Sequence, residues 1–213
     1  LCLIPDFNPG SSRSFNVFPR NGNGSNIIIL RNFIHNIQHK LFDDCTQRPS
    51  SGIALQVIRA CEMRDEGMSA EDIAKAAVDL NKKTCTSFVL DKLEYMKKGG
   101  RCSTVAALGA NLLSIRPCIE MKDGKLGVAR KYRGKILDVK KKYIEDELNA
   151  HKDDADLSRI FLTSSSASDA EVKELTALIK SILPFKEVLI GCAGCTIASH
   201  CGPGCMGILF MTK

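Results

Sequence analysis

Tryptophan is absent from this 213-residue chain, and aromatic residues make up only 6% of it. The basic residues therefore carry no interleaved rings on which the bases of a single strand would stack. No DNA-reading helix pattern or RNA-binding motif accompanies them, so nucleic acid is not an expected partner. No apolar run approaches the ~20 residues that a membrane-spanning helix needs. A phosphate-binding loop of the Gly-Lys-Ser type is missing, and so is a serine nucleophile elbow. There is no internal repeat. The start, Leu1-Cys2-Leu3-Ile4-Pro5-Asp6, has neither the basic flank nor the apolar length of a signal peptide. It also lacks Met, and the chain reads as a fragment.

What is present is ordinary for a globular protein with a real core: 44% apolar residues, 25% charged residues and a net charge of +6. The basic excess gathers at Lys97, Lys98, Arg101, Arg130, Lys131, Arg133, Lys135 and Lys140 to Lys142. Such clustering suits an anionic ligand or an acidic partner; the plain alternative is a solvated face. Ten cysteines are many. Cys61, Cys85 and Cys118 sit inside apolar patterns, where cysteine acts as a small hydrophobe. A reducing, cytoplasmic setting is the expectation.

Residues 1–50 differ from the rest. They are rich in Asn, Ser, Gly and Arg, with Pro5, Pro9, Pro19 and Pro49, and only Ile27–Leu30 reads as a strand and Asn32–Leu41 as a short helix. From Gly52 the pattern is regular. Ile53, Leu55, Val57, Ile58 and Cys61 predict a helix ending near Gly67. Ser69 with Asp72 forms a capping pattern for a second helix, whose apolar face is Ile73, Ala76, Ala77 and Leu80. Thr84–Leu90 reads as a strand. Asp91 with Glu94 predicts another helix start, with Gly99-Gly100 as a left-handed stop and Ser103 capping the helix after it. Ile115–Met121 and Leu126–Arg130 around Asp123-Gly124 predict a hairpin. Lys135–Ala150 is an amphipathic helix with Ile136, Val139, Tyr143, Ile144 and Leu148 inward. The last third alternates: strand Arg159–Thr163, serine loop 164–166, a helix capped by Ser168 with Glu171, strand Val188–Gly191, a histidine loop at 192–204 and a final strand Gly207–Met211. This order implies an α/β layer with a crossover, whose ligands sit at strand ends.

The histidine loop holds most of the candidate chemistry. Cys192, Cys195, His200, Cys201 and Cys205 have the density of a zinc site. Cys195 or Cys201 with His200 is a candidate nucleophile pair, although adjacent residues rarely aim at each other. Thr196, Ser199 and His200 beside Gly202 and Gly204 make a candidate anion clamp, in which hydroxyls, imidazole and backbone amides hold a carboxylate or phosphate. In the plain reading these donors satisfy only the turn. Arg101, directly after Gly99-Gly100, has a well-fixed direction.

Several passages in order resemble the DegV family. They are Leu93-Glu94-Tyr95-Met96-Lys97-Lys98-Gly99-Gly100-Arg101, Leu112-Leu113-Ser114-Ile115-Arg116-Pro117, Asp123-Gly124-Lys125-Leu126, and Thr196-Ile197-Ala198-Ser199-His200-Cys201-Gly202-Pro203-Gly204. The resemblance runs from about Ser51 to Lys213. It implies a two-domain α/β protein that binds a long-chain fatty acid in a buried tunnel and presents the carboxylate to a separate fatty acid kinase subunit, without being an enzyme itself. It implies head-group contacts from His200, Ser199, Thr196 and Arg101, and partner docking through Arg130 and Arg133. No cofactor or metal is implied, and transient contact with a membrane surface is compatible with the role. The expected organisation is an atypical segment 1–50, which is poorly ordered or outside the family, the remnant of an N-terminal α/β domain at 51–90, and a two-layer DegV-like α/β domain at 91–213. The hydroxyl-rich N-terminal half of the head-group site is not seen in residues 1–50, and a truncated or frame-shifted gene start is the expected reason. Burying a C16 chain at ~0.8 kcal/mol per methylene yields on the order of 10 kcal/mol before ordering costs. Leu112, Leu113, Ile115 and Ile119 suit a tunnel wall, and suit a plain core equally. The alternative class is an enzyme or zinc-binding domain built on His200 and the nearby cysteines.

Overall fold

The computed structural model describes residues 50–99, 115–122 and 125–213. The Ile27–Leu30 and Asn32–Leu41 elements, Arg101, Ser103, Leu112, Leu113 and the Asp123-Gly124 turn lie outside these residues.

Helices α1 (Ser50–Asp65) and α2 (Ala70–Lys83) lead into β1 (Thr84–Val89). The short α3 (Glu94–Lys98) follows, then β2 (Arg116–Lys122) and β3 (Lys125–Tyr132). Next come α4 (Ile136–Ala150), β4 (Ala155–Ser164), α5 (Asp169–Ile182) and β5 (Glu187–Cys192). A second short helix, α6 (Cys195–Cys201), precedes β6 (Met206–Thr212). The six strands form one sheet in the order β3-β2-β1-β6-β4-β5. Every neighbouring pair is antiparallel except β4 and β5, which α5 joins as a parallel crossover.

Both serine caps form as the sequence predicts. The Ser69 hydroxyl accepts from the Asp72 N–H and donates to the Asp72 carboxylate; Ser168 accepts from the Glu171 N–H. Each satisfies a free first-turn amide, worth ~1 kcal/mol. Asp91 behaves differently from the expectation. The first residue before α3 is Leu93, with no side-chain cap, because the Asp91 carboxylate is taken by Arg116 Nε at 2.9 Å. An ion pair with β2 outcompetes a local cap.

The period-two pattern of the strands divides the core. In β6, Ile208 and Phe210 point to one face and Leu209 and Met211 to the other. The first face is covered by α4 and α5 through Val139, Tyr143, Ile144, Leu148, Leu175 and Ile179. The second is covered by α1 and α2 through Leu55, Ala60, Met63, Ile73 and Leu80. The α/β class is as expected. The expected boundary after residue 90 falls at the exit of β1, a strand hydrogen-bonded to both β2 and β6.

Tyr143 ties helix to sheet. Its fully buried hydroxyl donates to the Ser87 carbonyl, shares a 2.8 Å bond with Ser87 Oγ and accepts from the Ile208 N–H. It therefore bridges β1 and β6 from α4. Two further buried residues escape the periodicity argument. Lys140 is 2% exposed and pairs with Glu171 at 2.6 Å, joining α4 to α5. Glu147 is equally buried and holds Arg130 of β3.

Candidate functional site

His200 does not lie in a loop. It occupies the last turn of α6, which ends at Gly202 with φ 75° and ψ 178°. That backbone conformation is close to glycine-only. Gly204, at φ 78°, completes the reversal into β6. The Ser165 hydroxyl, just past the end of β4, donates to the Gly202 carbonyl at 2.7 Å, and the Ser165 N–H donates to the Cys205 carbonyl. The Gly204 N–H donates to Ser166 Oγ at 2.8 Å. The serine loop expected at a strand end thus clamps the histidine turn.

The two glycine-rich passages, far apart in sequence, interlock. A Cβ built on Gly99 would stand 2.1 Å from His200 Nδ1. One on Gly202 would stand 2.3 Å from the Tyr95 ring, and one on Gly204 would stand 2.9 Å from Asp91 Cβ. Glycine at these positions makes room for the side chains of the other passage. Gly99 has φ −77°, so it is not the left-handed residue of the expected Gly99-Gly100 stop, and Gly100 lies outside the described residues; space, not backbone conformation, is what the site needs at Gly99. The interlock rests on an apolar cluster of Phe88, Leu90, Leu93, Met96, Ile119, Cys201 and Cys205.

His200 is half-buried, and its Nδ1 is buried with no hydrogen-bond partner among the described residues. A buried polar atom left unpaired costs about 1–3 kcal/mol. Thr196 is exposed one helical turn before His200, so the two share a face of α6. Ser199 is exposed too, but its hydroxyl donates to the Cys195 carbonyl at 2.7 Å, which commits its hydrogen to the helix. Arg101 falls outside the described residues. Arg130 shares a register row with Cys118, Val89 and Met206 across the sheet, three strands away, or roughly 14 Å at the usual strand spacing. Its guanidinium is bound by Glu147, whereas Arg133 is exposed just beyond β3.

The zinc constellation is not gathered. Cys192 and Cys195 are exposed, Cys201 and Cys205 are buried in the apolar cluster, and among the described residues no three His, Cys, Asp or Glu side chains form a metal-holding group. The helix separates them: winding residues 195–201 into α6 turns Cys201 inward and leaves Cys195 at its outer end. A different constellation was not visible in sequence. His151 Nε2 lies 3.9 Å from Cys85 Sγ, and its Nδ1 lies 3.0 Å from Asp154. Burial, with the negative charges of Glu147, Asp154 and Glu120, pushes the Cys85 thiol up to about 12. It is a neutral thiol at physiological pH and a poor nucleophile. Among the described residues no helix is long and apolar enough to cross a membrane.

A family model described as an uncharacterised protein of the DegV family matches residues 26–213. The chain belongs to the DegV family. The match begins at residue 26, inside the segment whose composition set it apart from Ser51 onward. A DegV domain-containing protein of Clostridium perfringens is 32% identical over 168 residues, which is 78% of this chain and 56% of that protein. A solved structure, described as fatty acid binding of a DegV family protein from Thermus thermophilus, has a TM-score of 0.67 at 29% identity, covering 79% of this chain and 59% of that one. The fatty acid kinase B3 protein of Streptococcus pneumoniae, solved with linoleic acid, has a TM-score of 0.64 at 23% identity, covering 76% and 56%; this likeness is one of fold. The chain spans little more than half the length of the relatives it matches. Within the DegV family passages, sequence alone located His200 and its glycines. It missed Tyr95 and Asp91 as their packing partners, although Tyr95 lies inside the first passage and Asp91 just before it.

Proposed function

We propose that this DegV family chain supplies the His200 side of a fatty-acid head-group site. The observation that carries the reading is the half-buried His200 imidazole held against Gly99, its buried Nδ1 without a partner among the described residues. A carboxylate is the ligand class this favours, since imidazole and hydroxyl donors make short bonds to an anion. Thr196, one turn before His200, is the second donor. Ser199 joins only by exchanging its bond to the Cys195 carbonyl, and Arg101 is assigned from its place after Gly99-Gly100. The Thermus thermophilus relative, described as binding fatty acid, supports the ligand class. The acyl chain lies in an apolar tunnel, and the loaded carboxylate is offered to a separate kinase subunit. An acidic partner surface suits the edge of the sheet, where Lys125, Lys131, Arg133 and Lys135 are exposed. Arg130 contributes less there, being paired already. The chain performs no chemistry of its own and works in the cytoplasm.

Native mass spectrometry of the purified chain tests this. A retained mass matching a long-chain fatty acid, lost in His200→Ala with unchanged circular dichroism, is the expected outcome. A chain that carries no lipid and takes up no added oleate overturns the reading. Equal occupancy in His200→Ala removes His200 from the site.

A further inference from the structure

Four cysteines lie within residues 192–205, and two of them meet. Cys201 closes α6 and Cys205 precedes β6, and the two left-handed glycines between them, Gly202 and Gly204, fold the chain back on itself. The fold-back is tight enough for the single Ser165 hydroxyl to reach the carbonyls at both ends, Gly202 at 2.7 Å and Cys205 at 3.4 Å. Both thiols enter one apolar cluster, each is 7% exposed, and both are free. The interaction between the two thiols lowers Cys201 against its burial and, together with burial, drives the Cys205 thiol well up.

We propose that Cys201 and Cys205 are an oxidation site, a dithiol that closes to a disulfide across Gly202-Pro203-Gly204 when a hydroperoxide reaches it. The Cys201 thiolate attacks the outer peroxide oxygen. The O–O bond breaks, Cys201 becomes a sulfenic acid, and the alkoxide or hydroxide leaves and takes a proton. The Cys205 sulfur then attacks the Cys201 sulfur, forming the S–S bond and expelling the hydroxyl as water with the Cys205 proton. Two thiols lose two electrons in all, and the peroxide is reduced to water and an alcohol, or to two waters for hydrogen peroxide. The partition of roles follows the hydrogen bond: the more acidic thiol attacks and the other resolves. The disulfide fixes the turn that immediately follows His200. Oxidation therefore shifts the imidazole from its seat on Gly99 and lowers fatty-acid retention; this consequence rests on the reading of His200 given above.

The test uses the full chain carrying Cys192→Ser and Cys195→Ser, which removes the exposed pair and leaves Cys201 and Cys205 intact. The folded protein is treated with hydrogen peroxide, quenched, unfolded, alkylated with iodoacetamide and digested with trypsin. Residues 187–213 leave as one peptide, and 201 and 205 are its only remaining cysteines. The expected peptide carries no alkyl group and lacks two hydrogen atoms, and dithiothreitol before alkylation restores two alkyl groups. Two alkyl groups after peroxide, or sulfinic acids in place of the disulfide, overturn the proposal. Oleate retention is read on the same samples. Loss on oxidation with recovery on reduction is expected. Equal retention in both states overturns the coupling to His200. No retention even in the reduced state overturns the fatty-acid reading and leaves the disulfide to stand or fall on its mass.

Discussion

The sheet is held differently at its two working regions. On the α4–α5 face, bulky side chains do the joining. Tyr143 satisfies three groups with one hydroxyl, and the two buried charges, Lys140 and Glu147, each have an opposite partner. At the α3–α6 corner, glycines do the joining. Missing side chains at 99, 202 and 204 let His200, Tyr95 and Asp91 fit, and one buried imidazole nitrogen is left unpaired among the described residues. The first region pairs its buried charges and the Tyr143 hydroxyl and serves stability, leaving only Thr176 Oγ1 of α5 unpaired among its described residues. The second leaves His200 Nδ1 without a partner among the described residues, the gap that the proposed carboxylate fills.

Mutations that break this contrast separate by size. Glu171→Ala removes the partner of a buried ammonium and is expected to cost about 3–5 kcal/mol in urea denaturation, with little direct effect on the α3–α6 corner. Tyr143→Phe leaves the Ile208 N–H without its partner and is expected to cost about 1–3 kcal/mol in the same measurement. Gly99→Ala forces a methyl against the imidazole. A cost of about 1–2 kcal/mol is expected from overpacking, together with a large loss of oleate retention. In a His200→Ala background the stability cost of Gly99→Ala should vanish, and a double-mutant cycle reads that coupling. An additive result would mean that the interlock is not what fixes the glycine.

The smallest effect concerns pH. Burial holds the Cys85 and Cys118 thiols up at about 12, against an ordinary value near 9. Each is protonated more readily in the folded state than in the unfolded chain. Their contribution is therefore complete below about pH 9 and is lost as pH rises toward 12. Urea midpoints should be flat across neutral pH and fall above that point. Alkylation of the native protein should reach exposed Cys192 and Cys195 well before Cys85 and Cys118.

Much of the fold was legible in the sequence because its signals are local. Ser69 with Asp72 and Ser168 with Glu171 capped the helices expected of them, and the final strand formed over the expected Gly207–Met211. Errors arose where a distant group entered. Asp91 read as a cap and went to Arg116. Residues 195–201 read as a loop, since the nearby glycines masked a helix of two turns. Lys140 read as part of a basic cluster on the surface, because its partner lies on α5.

The sequence by itself determined the α/β class, most helix starts and the two passages of the candidate site, because caps, periodicity and glycine turns act within a few residues. Only the tertiary structure decided that those passages touch, that Gly99 is glycine for the sake of His200, and that Cys201 meets Cys205. Each depends on chain folded back through a six-stranded sheet, and no spacing along the sequence encodes such a contact.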